Sequence, residues 1–191
     1  MELSPEQAGS ALRDIARAQR RLGIFSGYRY AAPHLWMWGL IWIAGYGATD
    51  LMPQVAGWIW LVLNVGGMAI GIAIGRHQMR TEARMRGEPD GDVTSMRMIG
   101  ISVAIVIFIF ATFDMLRPQT PAQFGAFPVL LMGLLYALAG LWAGLRWSIV
   151  GLVLSAVSML GYHFIVQHYM LWLGAAGGGT LILSGFWMRV R

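Results

Sequence analysis

Four side chains that can bind a metal ion stand beside apolar segments of the sequence: Asp50, Asp114, His163 and His168. Carboxylate and imidazole groups are ligands for zinc, and also for copper and nickel. If the turn before the last apolar segment folds back, the two histidines approach the two aspartates and form a divalent-metal site. The alternative is that these polar residues mark the ends of helices at water, and no cofactor is firmly implied.

Other kinds of chemistry find little support in the residue types present. The chain has no cysteine, which excludes disulfides, thiolate metal sites, iron–sulfur clusters and cysteine nucleophiles. It has no nucleotide-binding glycine loop, no HExxH motif and no GxSxG motif. A haem held by two histidines is disfavoured, because His34 is expected near the inner face of the membrane and His163 and His168 near the outer face. We therefore expect a protein that is not an enzyme.

All fourteen basic residues are arginines, and most lie in two segments outside the apolar stretches. Residues 4–22 are predicted to form an amphipathic helix, capped by Ser4 and ended by Gly23. The second apolar segment is predicted to continue as a helix through Arg86, before a turn at residues 87–92. Lipid headgroups, or a cytoplasmic or membrane protein partner, are expected to contact these helices. The arginines concerned are Arg13, Arg17, Arg20 and Arg21 in the first helix, and Arg76, Arg80 and Arg84 in the second.

The composition identifies the solvent around these residues. Of 191 residues, 57% are apolar and only 12% are charged, against about 25% in soluble domains. The sequence therefore predicts an all-α, polytopic membrane helix bundle that forms a single domain over residues 1–191. The net charge of +5 does not indicate nucleic-acid binding, because arginines also orient a chain in a bilayer. A cleaved signal peptide is not expected, because the first 29 residues hold no continuous apolar core.

Six apolar segments are long enough to cross a hydrocarbon core of about 30 Å as helices. With six crossings, thirteen arginines share one side with both termini, and only Arg117 lies on the other. The positive-inside rule then predicts a bacterial inner (plasma) membrane protein with both termini in the cytoplasm. Five crossings would export Arg189 and Arg191. The predicted spans are approximately residues 31–49, 57–75, 98–113, 123–145, 148–163 and 169–188, with the last two turns near Arg146–Ser148 and Tyr162–His168.

Small residues at four-residue spacing predict close helix packing, because lipid gives helices no hydrophobic reason to associate. Asn64 shares a face with the glycines of the second span and is predicted to form an interhelical hydrogen bond. The pattern leaves open whether these rows of small residues pack within one chain or between subunits of a homo-oligomer. The packing residues are Asn64, Gly67, Gly71 and Gly75 in the second span, Gly140 and Gly144 in the fourth, and Gly174 and Gly178 in the sixth.

Three functions are compatible with this pattern. The leading hypothesis is a non-enzymatic accessory or regulatory membrane protein that acts through its cytoplasmic Arg-rich helix and loop. The first alternative is a small transporter or channel for a neutral or apolar solute. It is suggested by the glycine-rich even-numbered spans and by a faint repeat of residues 48–54 in residues 111–119. The second alternative is a metal- or cofactor-binding membrane protein that uses the Asp/His group.

Overall fold

The computed structural model describes the backbone of residues 5–86 and 93–190, and side chains from residue 27 onward except residues 82, 83, 85, 86, 93–99 and 102. Within these ranges the chain is helical apart from short turns, which confirms the prediction of an all-α bundle. The helices are α1 (Pro5–Leu51), α2 (Pro53–Arg86), α3 (Val93–Leu116), α4 (Pro121–Ala143), α5 (Leu145–Phe164), α6 (Tyr169–Trp172) and α7 (Gly179–Arg189), with a π-helical segment (Leu173–Gly178) joining α6 to α7.

The helices have the length and composition of a multi-pass membrane protein. Four segments are long and apolar enough to cross a bilayer, with mean hydropathies between 1.3 and 2.0. A fifth apolar helical segment, Val103–Leu116, is shorter. The four long segments are Pro53–Thr81, Pro121–Ala143, Leu145–Phe164 and Tyr169–Arg189.

The bundle has two ends, which differ in the helices that start or finish there. At the first, called the Asp50 end, α1 finishes while α4 and α6 begin. Tyr46 Oη donates to the carbonyl of Gly125 (3.1 Å) there, and His168 Nδ1 lies 3.0 Å from Asp50 Oδ2. At the opposite Arg146 end, α4 turns into α5 and α7 finishes.

The centre of the bundle is α1, which packs against α2, α4 and the rod formed by α6, the π-helical segment and α7. Leu35 of α1 and Leu173 and Leu181 of the rod are almost completely buried. α4 and α5 form a tight hairpin around Val129 and Leu154, both inaccessible to solvent. Most large apolar side chains outside this core point outward, as expected for helices whose solvent is lipid.

α1 is longer than a single crossing requires. Its 47 residues span about 70 Å, and the helix continues without a break through Gly23, where an end was predicted. Ser4 and the side chains of residues 5–26 lie outside the described part of the structure, so the amphipathic face of residues 4–22 stays a prediction. α2 extends to Arg86, which confirms the predicted continuation of that helix; the predicted turn at residues 87–92 is outside the described residues.

Two of the remaining turns follow from local sequence. Gly144 separates α4 from α5 with a φ of 107°, a conformation that side chains disfavour, so the break falls two residues before the predicted turn at Arg146–Ser148. Thr120 caps α4: its side chain accepts from the backbone of Gln123, and the Gln123 side chain accepts from the backbone of Thr120. Residues 165–168 connect α5 to α6.

α3 stands at the edge of the bundle and is attached through aromatic side chains. The ring of Phe113 lies 5.0 Å from that of Phe124 and 5.5 Å from that of Phe127, measured between centroids. Phe108 stacks on Phe127 at 6.4 Å. Because these long side chains bridge α3 to α4, space remains beside them between α3 and α5.

Candidate functional site

Two of the four predicted metal-binding side chains meet at the Asp50 end. Asp50 lies in the last turn of α1, and His168 immediately precedes α6, so the 3.0 Å contact joins residues 118 positions apart. The Asp50 side chain is 11% exposed and the His168 side chain 69% exposed. The pair therefore fixes the end of α1 to the start of the last helical rod, with the imidazole facing water.

The other two predicted ligands lie elsewhere. Asp114 is exposed on α3, and His163 is exposed in the last turn of α5, where its ring lies 5.6 Å from that of Tyr162. Among the side chains described, no three groups of metal-binding type converge. Zinc sites in proteins use three or four protein ligands. The geometry thus offers one ligand pair, Asp50 and His168, to a metal ion.

A cavity of about 430 Å³ opens beside the aromatic contacts of α3. Phe113 of α3, Ala126, Phe127 and Leu130 of α4, and Met159 of α5 form its apolar walls. Its volume is within the range of small-ligand sites, which is about 300–1,000 Å³. It lies between the third, fourth and fifth helices, not between the even-numbered helices to which the transporter hypothesis assigned a passage.

Most polar side chains inside the cavity are hydrogen-bonded within the protein, while Tyr162 and His163 line it where α5 ends. Thr112 Oγ1 donates to the carbonyl of Phe108 (2.8 Å), and Ser158 Oγ forms a 2.9 Å hydrogen bond with Tyr169 Oη. Gln123 is engaged in the cap of α4. The interior of the cavity therefore offers a ligand mainly apolar contacts.

Three predicted contact arginines are exposed on the far part of α2. Arg76, Arg80 and Arg84 recur every fourth residue, so they occupy one side of residues 76–86, here called the basic extension. Gln78 Nε2 donates to the carbonyl of Tyr30 (3.1 Å), which fixes the start of the basic extension against α1. The side chains of Arg13, Arg17, Arg20 and Arg21 are outside those that the structure describes.

Arg146 connects three helices at the Arg146 end of the bundle. Its Nη1 donates to the carbonyls of Trp187 (3.0 Å) and Val190 (2.8 Å) at the C-terminus of α7. The guanidinium also lies 5.2 Å from the ring centroid of Tyr28 and 5.3 Å from that of Trp187. These contacts join α5, α7 and α1, a role that its position in a predicted turn did not indicate.

The predicted packing residues are distributed over several contacts. Gly67 and Gly71 of α2 face α1, close to Ile41 and to Met37, whereas a side chain at Gly75 would meet nothing within 4 Å. Asn64 is exposed, and its Nδ2 donates to the carbonyl of Trp60 (2.8 Å) in its own helix.

The small residues of the later helices lie at closer contacts. Gly140 lies against Ser148 of α5, and Gly174 and Gly178 lie against the backbone of α1. Gly144 occupies the turn described above. Gly39 is the partner of Gly178: a Cβ added to Gly178 would lie 2.6 Å from the Gly39 carbonyl oxygen. Sequence spacing missed Gly39 because no second glycine follows it at three or four residues.

Comparison with known proteins gives no match: no family model, no curated protein and no solved structure is significantly similar to this chain.

Proposed function

We propose that the chain crosses the membrane six times, with the Arg146 end in the cytoplasm. Four of the crossings are the long apolar segments described above. α1 and α3, with 47 and 24 residues, are also long enough for a core of about 30 Å. An even number of crossings returns both termini to one side. The distribution of arginines supports the cytoplasm of a bacterial inner membrane as that side.

Within this arrangement, we propose that the protein is a non-enzymatic accessory or regulatory membrane protein. The observation that carries the proposal is the basic extension: three arginines exposed on one side of a helix that continues past the apolar part of α2. Gln78 holds this helix against Tyr30 of α1, so the arginines are presented in a defined position. A partner with an acidic surface matches them in charge.

Geometry favours a protein partner over lipid headgroups for the outer arginines. From Arg76 to Arg84 the helix rises about 12 Å, so Arg84 lies farther from the membrane than Arg76 by that amount when α2 stands upright. Attraction to anionic headgroups falls off within a Debye length, which is about 8 Å at physiological salt. Arg76 is thus suited to headgroups, and Arg80 and Arg84 to an acidic partner in the cytoplasm.

The two alternatives have weaker support. A transporter with its passage between glycine-rich helices needs space beside those glycines, but Gly67, Gly140 and Gly178 lie directly against neighbouring helices. A metal-binding function has the single ligand pair Asp50 and His168. Both alternatives therefore rank below the docking function.

The docking function is tested with a photoreactive amino acid at Thr81, which is exposed between the outer arginines. In intact native membranes we expect a protein adduct whose yield falls as salt is added, because exposed charge pairs are screened. Arg84→Glu places a like charge against an acidic partner and lowers the yield at least about tenfold. Arg117→Glu makes the same charge change at the Asp50 end and leaves the yield unchanged. Adducts with lipid alone would refute the docking function.

A further inference from the structure

We propose that the cavity between α3, α4 and α5 binds one acyl chain of a zwitterionic membrane phospholipid, with its headgroup at Asp114 and Arg117. This site is separate from the basic extension and does not depend on the docking function.

The cavity has the depth of a lipid chain in one leaflet. Along α4 its lining runs from Gln123 to Leu130, which is about 10 Å of helix starting near the N-terminus of α4. One leaflet contributes about 15 Å, half of the hydrocarbon core. The cavity therefore lies within the leaflet at the Asp50 end and does not reach across the membrane, which is the shape of a chain-binding site and not of a passage.

The opening of the cavity faces sideways. α4 forms its floor, and the long rings of Phe108 and Phe113 carry the contact of α3 with α4, so a cleft remains between α3 and α5. The residues on the rim of this cleft are exposed: Leu116 by 71% and Met159 by 49%. A lipid chain can enter from the bilayer through this cleft without leaving the hydrocarbon region.

The walls select an apolar group. Thr112 and Ser158 have their hydroxyl groups in hydrogen bonds within the protein, and Tyr162 and His163 line the cavity only where α5 ends. A polar ligand deeper in the cavity would therefore lose its bonds to water without replacing them. An acyl chain has no such bonds to lose. Phe127 and Leu130 offer it dispersion contacts on the α4 side, and Met159 offers an adaptable contact on the α5 side.

Two residues that adjoin the cavity lining in the sequence carry charges of opposite sign. Asp114 and Arg117 are both exposed, three residues apart at the end of α3, and Pro118 beside Arg117 lines the cavity. Arg117 has a φ of 43°, the only positive φ outside glycine in the described part of the chain. This left-handed conformation costs roughly 1–2 kcal/mol for a residue other than glycine. It follows the end of α3 and places Arg117 in the short connection between α3 and α4.

These two charges match a zwitterionic headgroup. Arg117 can pair with the phosphate and Asp114 with the ammonium group, both through charge-assisted hydrogen bonds. An anionic headgroup has a poorer match, because Asp50 and Asp114 against Arg117 give this end a net charge of −1 with neutral histidines. Phosphatidylethanolamine, whose ammonium group donates hydrogen bonds, is therefore the expected lipid class.

The test uses the full chain in vesicles of phosphatidylglycerol that contain a trace of phosphatidylethanolamine with a photoactivatable acyl chain. We expect labelling at Leu130 and Met159, located by peptide mass spectrometry. Leu130→Trp fills the cavity and lowers labelling of Met159 about tenfold. Leu134→Trp is the matched control, because Leu134 lies one turn deeper on α4, 54% exposed and outside the cavity lining, and it leaves labelling unchanged.

Two further measurements keep the result interpretable. Met159→Trp narrows the cleft from its exposed rim, outside the buried core, and is expected to lower labelling of Leu130 to a similar extent. Replacing part of the phosphatidylglycerol with unlabelled phosphatidylethanolamine is expected to lower labelling. Asp114→Asn is expected to remove this preference, because Asp114 is assigned to the ammonium group that phosphatidylglycerol lacks. Equal labelling of the wild type and both cavity variants would overturn the chain site, since it would report lipid around the protein in general. Equal competition by the two lipids would overturn the headgroup assignment.

Discussion

Single side chains matter most in this molecule where two helix backbones come close. Gly178 in the π-helical segment and Gly39 in α1 bring the last rod against the centre of the bundle, where the polar backbone of each helix fills the space beside the other. In lipid this close approach replaces the hydrophobic drive that holds soluble bundles together. The four-residue pattern predicted a contact at Gly178, but its partner Gly39 lies 139 positions earlier in a sequence full of aromatic residues, and spacing alone cannot connect them.

Adding one methyl group at Gly178 is expected to separate these helices. The new Cβ of Gly178→Ala would lie 2.6 Å from the carbonyl oxygen of Gly39, so a backbone has to shift. We expect the free energy of unfolding in mixed micelles to fall by about 1–3 kcal/mol. The neighbouring Gly179→Ala is the control, since its Cβ meets nothing within 4 Å and alanine favours the helix. Equal loss of stability in both variants would contradict the packing role.

The contact between Asp50 and His168 is a second interaction whose energy depends on two side chains. Because the His168 side chain is 69% exposed, the pair resembles a surface interaction, and we expect a coupling energy of about 0.5–1 kcal/mol. A double-mutant cycle of Asp50→Ala and His168→Ala, followed by thermal unfolding, measures it. Strictly additive effects would show that the contact contributes nothing to stability.

At the scale of whole helices, the sequence predicted the type of element well and its ends less well. Long apolar runs indicated membrane helices, and the run of helix formers after Gly75 predicted the extension of α2 to Arg86. Gly23 was expected to end the first helix, yet α1 continues through it, because one glycine costs a helix only about 1 kcal/mol. The α4–α5 break depends on the positive φ of Gly144, which sequence does not distinguish from the other glycines of α4.

Arg146 is expected to hold the end of α7 against its neighbours. Arg146→Gln loses the bonds to the carbonyls of Trp187 and Val190, each a bond to a charged donor. We expect a loss of about 2 kcal/mol in the free energy of unfolding and faster hydrogen exchange in the last turn of α7. Arg76→Gln, at an exposed position on α2, is expected to change stability by less than about 0.5 kcal/mol. Unchanged exchange in α7 would contradict this role.

The two ends of the molecule differ in charge, and we assign a different function to each. The Arg146 end carries the basic extension that we assign to a cytoplasmic partner, and the Asp50 end carries the cavity that we assign to a phospholipid chain. The sequence predicted the first of these surfaces from the spacing of arginines along one helix. The sequence did not predict the cavity. Its size depends on the distance at which the phenylalanines of α3 hold that helix from α4 and α5, and no local sequence pattern indicates this distance.

In the proposed topology six crossings place the basic extension in the cytoplasm, and single-cysteine labelling measures this arrangement. The chain has no cysteine, so each introduced thiol is the only reactive site. We predict that a membrane-impermeant maleimide labels Gln119→Cys and Val166→Cys in cells whose inner membrane is intact, and Arg84→Cys and Val190→Cys only after that membrane is permeabilised. Labelling of Arg84→Cys before permeabilisation, or of Val190→Cys on the same side as Val166→Cys, would rule out the six-crossing topology.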